Sequence, residues 1–336
     1  MSPRDALAPV VRLAPAKLNL TLAVLGLRSD GFHALHSVMV PLALADRLSL
    51  APAAGPLDSL HVVGGSDGRM PLDPAGFDSV LRGIAMARRA VGRGAETYPL
   101  AARLEKHIPI AAGLAGGSSD AAAAIDGALE AWGAKLGDDE RRRAATAAGS
   151  DVPFFLAGGP ALVEGRGERV TPLNGFAGEP PAVLLVTPAT ASATTAAFAA
   201  FDADPAAAAA NSGATRLSSE HLAVELGPGH PPMRASELVV RAGVLAVAND
   251  LARAADVLVP GLRDLRRALT RLLGVPIGLS GSGPTLWALY SALDGAEDAA
   301  ARIREALRLG LLDSPGSGPP FVAATTIVSA PGRTPG

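Results

Sequence analysis

The chain has 336 residues and a formal net charge of −2, so it lacks the basic excess of a nucleic-acid-binding surface. It has no cysteine, which excludes disulfides and thiolate chemistry, and its six histidines show no metal-binding spacing. No apolar run approaches the ~20 residues of a membrane span, and the start, with Arg4 and Asp5, lacks a signal-peptide core, so a cytoplasmic protein is expected.

Residues 1–9 read as a disordered lead. Strands are expected over 10–13 and 18–25, the second with Leu18, Leu20, Leu22 and Val24 at period two. Alternation places Lys17 and Asn19 together on the opposite face. That face is either a half-exposed strand surface or a functional pair. Among 30 Lys+Arg only Lys17, Lys106 and Lys135 are lysine. A chain so biased to arginine retains lysine where a compact ammonium is needed, which favours function for Lys17.

After a turn at 28–31, strands are expected over 37–44, 47–51 and 60–63, a helix over 77–91 and a strand over 100–104. Residues 106–126 then pass from an apolar run through small residues into an alanine-rich helix. Gly113, Gly116 and Gly117 open the backbone to a ligand, and Ser118, Ser119 or Asp120 is a candidate cap. A helix N-terminus with free amides suits phosphate; the bland alternative is an ordinary glycine turn. The loop is neither a Walker A motif nor GxGxxG.

Helices are expected over 119–132 and 138–148. Asp151 follows, either capping the element that Pro153 opens or acting as a base for a substrate hydroxyl. A hairpin over 161–164 and 168–170 precedes a strand at 182–187. Residues 202–211 read as loop or weak helix, and 212–236 as a mobile Gly, Pro and Ser-rich segment. Helices over 238–255, 261–273 and 296–309 and strands over 277–279, 286–290 and 322–328 complete the chain. The glycine loop at 279–285 is by itself a tight strand connection. The element pattern suggests an α+β sandwich.

Pro109, Gly113, Leu114, Ala115, Gly116, Gly117, Ser118 and Ser119 match the phosphate loop of the GHMP kinases, which the chain resembles throughout. That family has a lysine-bearing first strand, a central phosphate loop and a C-terminal glycine loop, in the order found here. Pro-Ala-Lys-Leu-Asn-Leu at 15–20, Asp-Gly-Phe-His at 30–33, Gly-Ser-Asp-Val-Pro at 149–153 and Asn-Asp-Leu at 249–251 resemble its 4-diphosphocytidyl-2-C-methyl-D-erythritol kinase branch.

The resemblance implies a two-domain α+β fold. The N-terminal domain, 1–177, would be ribosomal-protein-S5-domain-2-like, and the C-terminal domain, 178–336, a ferredoxin-like α/β sandwich. It implies transfer of the ATP γ-phosphoryl group to the 2-hydroxyl of the cytidyl substrate, with Mg²⁺ bridging phosphate oxygens and no protein residue assigned as a metal ligand. Asp151 would be the base, and Lys17 would orient it and stabilise charge. Pro109, Ile110, Ala111, Ala112, Gly113, Leu114, Ala115, Gly116, Gly117, Ser118 and Ser119 would bind ATP. Asn19, Phe32, His33, Phe198, Gly281 and Ser282 would bind substrate, with cytosine stacked between Phe32 and Phe198 and hydrogen-bonded by His33. A monomer or homodimer with no nucleic-acid or membrane partner is expected. Asp120 and Asp78 stand where the family often has Asn, and Ala111 and Ala115 where it often has Gly. The alternatives are a GHMP kinase for another small alcohol, or a non-catalytic binding protein on the same fold; the presence of Lys17 and Asp151 disfavours the second.

Overall fold

The computed structural model describes residues 9–64, 78–94 and 97–329. The expected lead over 1–9, Pro9 apart, and the first residue of the helix expected at 77–91 lie outside the described residues. Two compact units form. One comprises Met1–Ala16, Leu44–Pro109 and Ala115–Leu156; the other comprises Lys17–Ala43, Ile110–Leu114 and Ala157–Gly336. The units interleave along the chain, so neither is a single stretch such as 1–177 or 178–336. Strands β1 (Val10–Asn19) and β3 (His33–Pro52) each run from one unit into the other.

In the first unit, β5 (Leu100–Lys106) pairs antiparallel with the second half of β3 and parallel with β4 (Ser59–Gly64). A parallel pair needs a crossover, and α1 (Asp78–Ala90) lies in that connection. Helices α2 (Gly116–Ala131), α3 (Asp138–Ala148) and α4 (Val152–Phe155) complete the unit. Its core gathers Leu48, Leu50, Leu104, Ile84, Ile125 and the alanines of α2. Those alanines let helices approach closely: a Cβ on Gly83 of α1 would lie 2.5 Å from the Ala121 carbonyl oxygen. The strands expected separately at 37–44 and 47–51 are one strand. Asp46, between them, does not break it, because its carboxylate accepts from the backbone amides of His107 (2.5 Å) and Ile108 (2.9 Å).

In the second unit, the first half of β3 pairs with β2 (Ala23–Leu27) and with β6 (Ala161–Gly165), which forms a hairpin with β7 (Arg169–Pro172). A separate antiparallel sheet has the order β11-β8-β10-β9, from β8 (Ala182–Thr187), β9 (Gly278–Leu279), β10 (Leu286–Tyr290) and β11 (Phe321–Thr326). Helices fill the connections from β8 to β9 and from β10 to β11. This is the βαββαβ arrangement of a ferredoxin-like sandwich, as the resemblance implied. α10 (Leu262–Leu273) and α11 (Leu293–Arg308) cover the sheet through Leu265, Leu269, Ala299 and Ile303.

Two expectations fail here for local reasons. The segment 212–236 is not wholly a mobile connection: α6 (Pro205–Glu225) runs on through 212–225, and Leu222 and Leu226 are buried. The first residues of α6 realise the weak-helix alternative for 202–211, as their alanines, the strongest helix formers, favour. The helix expected at 238–255 is three pieces, α7 (Ala235–Val240), α8 (Ala242–Leu245) and α9 (Ala252–Leu258). The break before α9 is Asn249, which bridges in parallel to Leu22 and donates its amide to the carbonyls of Leu279 and Gly281, both at 2.9 Å.

Candidate active site

Lys17 and Asn19 share a strand face, as alternation predicted, but the face is buried rather than half exposed: they are 3 % and 2 % accessible. Lys17 Nζ donates to Asn19 Oδ1 (2.5 Å) and to the Gly113 carbonyl (2.6 Å). Asn19 Nδ2 donates to Ser37 Oγ (2.8 Å), whose hydroxyl donates to the Thr21 carbonyl. Three segments far apart in sequence therefore meet in the second unit. Ser280 Oγ donates to the same Gly113 carbonyl at 3.0 Å, and the Thr285 amide donates to the Ala112 carbonyl at 3.3 Å. The Lys17 amide donates to the Leu114 carbonyl at 3.0 Å.

Two glycines make this approach possible. Gly281 has φ +57°, and a Cβ there would lie 2.9 Å from Lys17 Nζ and 3.1 Å from the Gly113 oxygen. Gly113 has φ +76°, and its Cβ would lie 2.3 Å from the Ser280 carbonyl oxygen. Both positions combine a left-handed backbone with no room for a side chain. Ser282 Oγ lies 3.2 Å from Thr194 Oγ1, on the first residue of α5 (Thr194–Asp202).

The same unit holds the three ring residues. Phe198 lies on α5, and its ring stacks on His33 with centroids 4.7 Å apart. It also packs against the cluster of Leu22, Val24 and Leu251, so it has a core role as well. Phe32 is 46 % exposed, with the Arg166 guanidinium 4.9 Å from its ring centroid.

The rest of the phosphate loop belongs to the first unit. Ala115 is the N-cap of α2, at φ 54°, and no side chain caps the helix. None of the three candidate caps serves, because the helix begins at Gly116, before any of them. Ser119, 1 % exposed, has no hydrogen-bond partner for its hydroxyl among the described residues. Ala111 is also left-handed, at φ 52°. The two alanines that depart from the family's glycines are thus the two loop alanines held in a glycine-like conformation. A Cβ on Gly116 would lie 3.2 Å from Ile108 Cγ2 and 3.4 Å from Lys106 Nζ, so that glycine relieves internal crowding.

Beneath the helix start lies a buried charge cluster that sequence reading missed. Lys106 Nζ donates to Asp46 and, at 2.8 Å, to Asp120; the three are 4 %, 0 % and 1 % exposed. Burial pushes the Asp120 carboxyl up to about 7, against the pull of Lys106. Burial works to lower Lys106, but Asp120 and Asp46 outweigh it and raise its pKa. Asp120 therefore shares the Lys106 ammonium with Asp46. Asp151 is the N-cap of α4 without a side-chain capping bond, so the capping alternative is not realised.

Of the residues singled out from sequence, Lys17, Asn19, Ile110, Ala111, Ala112, Gly113, Leu114, Gly281 and Ser282 fall in the second unit with Phe32, His33 and Phe198. Pro109, Ala115, Gly116, Gly117, Ser118, Ser119 and Asp151 fall in the first. Sequence reading missed Ser280 and Thr285 as contacts. It quoted Asn249 as part of a motif without giving it a role. The signal for Ser280 and Thr285 was a polar residue inside or beside a glycine turn between apolar strands.

Residues 79–159 match the GHMP kinases N terminal domain and residues 239–309 the GHMP kinases C terminal domain. A 4-diphosphocytidyl-2-C-methyl-D-erythritol kinase of Pelotomaculum thermopropionicum is 35 % identical over 306 residues, covering 88 % of this chain and 94 % of that one. One from Symbiobacterium thermophilum is 48 % identical over 161 residues, 47 % of this chain and 53 % of that one. A crystal structure of 4-(cytidine 5'-diphospho)-2C-methyl-D-erythritol kinase superposes with a TM-score of 0.61 at 30 % identity, covering 94 % of this chain and 99 % of that one. No helix among the described residues is long and apolar enough to cross a membrane.

Proposed function

The chain belongs to the 4-diphosphocytidyl-2-C-methyl-D-erythritol kinase family of GHMP kinases, and from that premise we propose that it transfers the γ-phosphoryl group of ATP to the 2-hydroxyl of 4-diphosphocytidyl-2-C-methyl-D-erythritol, in non-mevalonate isoprenoid synthesis. The observation that carries this reading is the meeting of Lys17 with Gly113 and Gly281. The lysine strand, the phosphate loop and the C-terminal glycine loop are each ambiguous alone; here Lys17 and Ser280 share one anchor, the Gly113 carbonyl.

Phosphoryl transfer asks a protein for positioning and electrostatics. Asp151 takes the proton of the attacking hydroxyl. The Lys17 ammonium, held by Asn19 Oδ1 and the Gly113 carbonyl, would offset charge on the transferred group. Amides of the phosphate loop and of the first turn of α2 hold the phosphates. In this reading Mg²⁺ would arrive bound to ATP and supply neutralisation of phosphate charge. The Ser119 hydroxyl, buried and unpartnered, fits a phosphate oxygen or the hydration of that ion. Phe32 offers an exposed ring for the cytosine, where stacking contributes ~1–3 kcal/mol per base. ATP as donor supports a cytoplasmic setting. The test is ATP turnover with and without the cytidyl substrate: dependence on that substrate is expected, and turnover driven equally by homoserine or mevalonate would overturn the assignment.

A further inference from the structure

His33 has two ring nitrogens, and the fold engages one of them. Its Nε2 lies 2.8 Å from Asp202 Oδ1, the last residue of α5. The ring is stacked on Phe198 with planes 17° apart, and Phe201 meets it edge-on at 6.2 Å. The His33 side chain is 9 % exposed, so its orientation is held by ring packing and by Asp202 together. Nδ1 makes no hydrogen bond among the described residues.

An ionised carboxylate only accepts hydrogen bonds. Facing Asp202, Nε2 must carry the proton, and in the neutral imidazole Nδ1 is then left as an acceptor. The Watson–Crick edge of cytosine offers an exocyclic amine, a donor; uracil offers a carbonyl oxygen at the same place. An acceptor nitrogen pairs with the first and repels the second. We propose that Asp202 is a specificity-determining positioning residue, fixing the tautomer of His33 so that Nδ1 accepts from the cytosine amine and uracil is refused. Asp202 acts through His33, without touching the base. The proposal rests on the reading of the substrate as a cytidine diphosphate derivative.

The experiment uses the full-length protein, with CDP and UDP as probes in calorimetry, and kcat/KM for the cytidyl substrate and its uridyl analogue. Wild type is first compared on both nucleotides; equal affinity would defeat the cytidyl reading itself, independently of Asp202. Given a wild-type preference, Asp202→Ala is expected to lower the CDP-over-UDP ratio about five- to tenfold, the scale of one hydrogen bond. kcat at saturating cytidyl substrate should be unchanged. A merely structural tie between α5 and the start of β3 predicts something else: a lowered melting temperature with the ratio preserved, and that result overturns the proposal. Two further readouts separate these cases. In a His33→Ala background Asp202→Ala should leave the ratio unchanged, because the coupled partner is gone; an undiminished effect there refutes action through His33. ¹⁵N NMR of the imidazoles, with His33 assigned by its alanine variant, should show the Nε2–H tautomer in wild type; an Nδ1–H tautomer refutes the mechanism.

Discussion

Replacing Ala115, the N-cap of α2, by glycine should make this protein more stable. Ala115 has φ 54° and ψ 34°, the left-handed region. There a Cβ crowds the following carbonyl at a cost of about 1–2 kcal/mol. Glycine removes that cost but adds about 0.5–1 kcal/mol of backbone entropy to be lost on folding. The net gain is roughly 0–1.5 kcal/mol, a rise of up to about 2 °C in Tm for a chain of 336 residues. Ala111→Gly, at φ 52°, should behave alike. Ala112 is the control: it is 2 % exposed and is not among the left-handed residues, so glycine there loses packing and entropy together and should lower Tm. Calorimetric or fluorescence melts of the three variants decide the matter. If Ala115→Gly and Ala112→Gly shift Tm in the same direction, backbone strain is not what distinguishes the sites.

Asp151→Asn should lower kcat by about 10²–10⁴, the usual worth of a general base, with ATP affinity largely kept; a kcat near wild type would make Asp151 a turn residue only. Gly281→Ala forces a methyl against Lys17 Nζ and the Gly113 carbonyl at a left-handed position, so kcat should fall with a smaller loss of Tm, measured by steady-state kinetics beside melts. Asp120 holds its proton more tightly in the folded chain, up to about 7, than in the unfolded one. By linkage its contribution to stability declines as pH rises from about 4 towards 7. Denaturant melts across that window should show a shallower decline for Asp120→Asn than for wild type, and equal slopes would contradict the burial argument.

Where hydrophobic periodicity was strong, the sequence could be read almost to the residue. β8, all six residues buried, and α3, opened by Asp138 and closed at Gly149, match the expected bounds. Composition misled at 212–236, where Gly, Pro and Ser suggested a mobile segment although α6 continues to Glu225. The scarcity of lysine was a better guide than its use suggested: Lys17 and Lys106 are both buried and paired, while Lys135 is exposed. Applied evenly, that signal would have found Lys106. Its partner Asp46 carried no such mark, because it lies 60 residues away in the middle of an apolar strand, and only the β3–β5 pairing brings them together. Ser280 was hidden for another reason. Serines flank Gly281 on both sides, and nothing in the one-dimensional pattern says which hydroxyl turns towards Gly113.

The buried polar face of β1 also has a consequence for how faithfully the chain folds. Both faces of its last residues are enclosed, Lys17 and Asn19 on one side, Leu18 and Leu20 on the other, and all four are 3 % exposed or less. A slip of one residue in strand register exchanges the two faces. It would thrust an ammonium and an amide among leucines, and leave the Gly113 carbonyl and the Ser37 hydroxyl opposite hydrocarbon. An ordinary half-exposed strand tolerates such an error more readily, since water can receive whatever is displaced. Here the residues kept for chemistry act as proofreaders of assembly. A misthreaded molecule is penalised by the same groups whose absence would leave it inactive, so selection for turnover at this strand carries with it selection against a long-lived misfolded form.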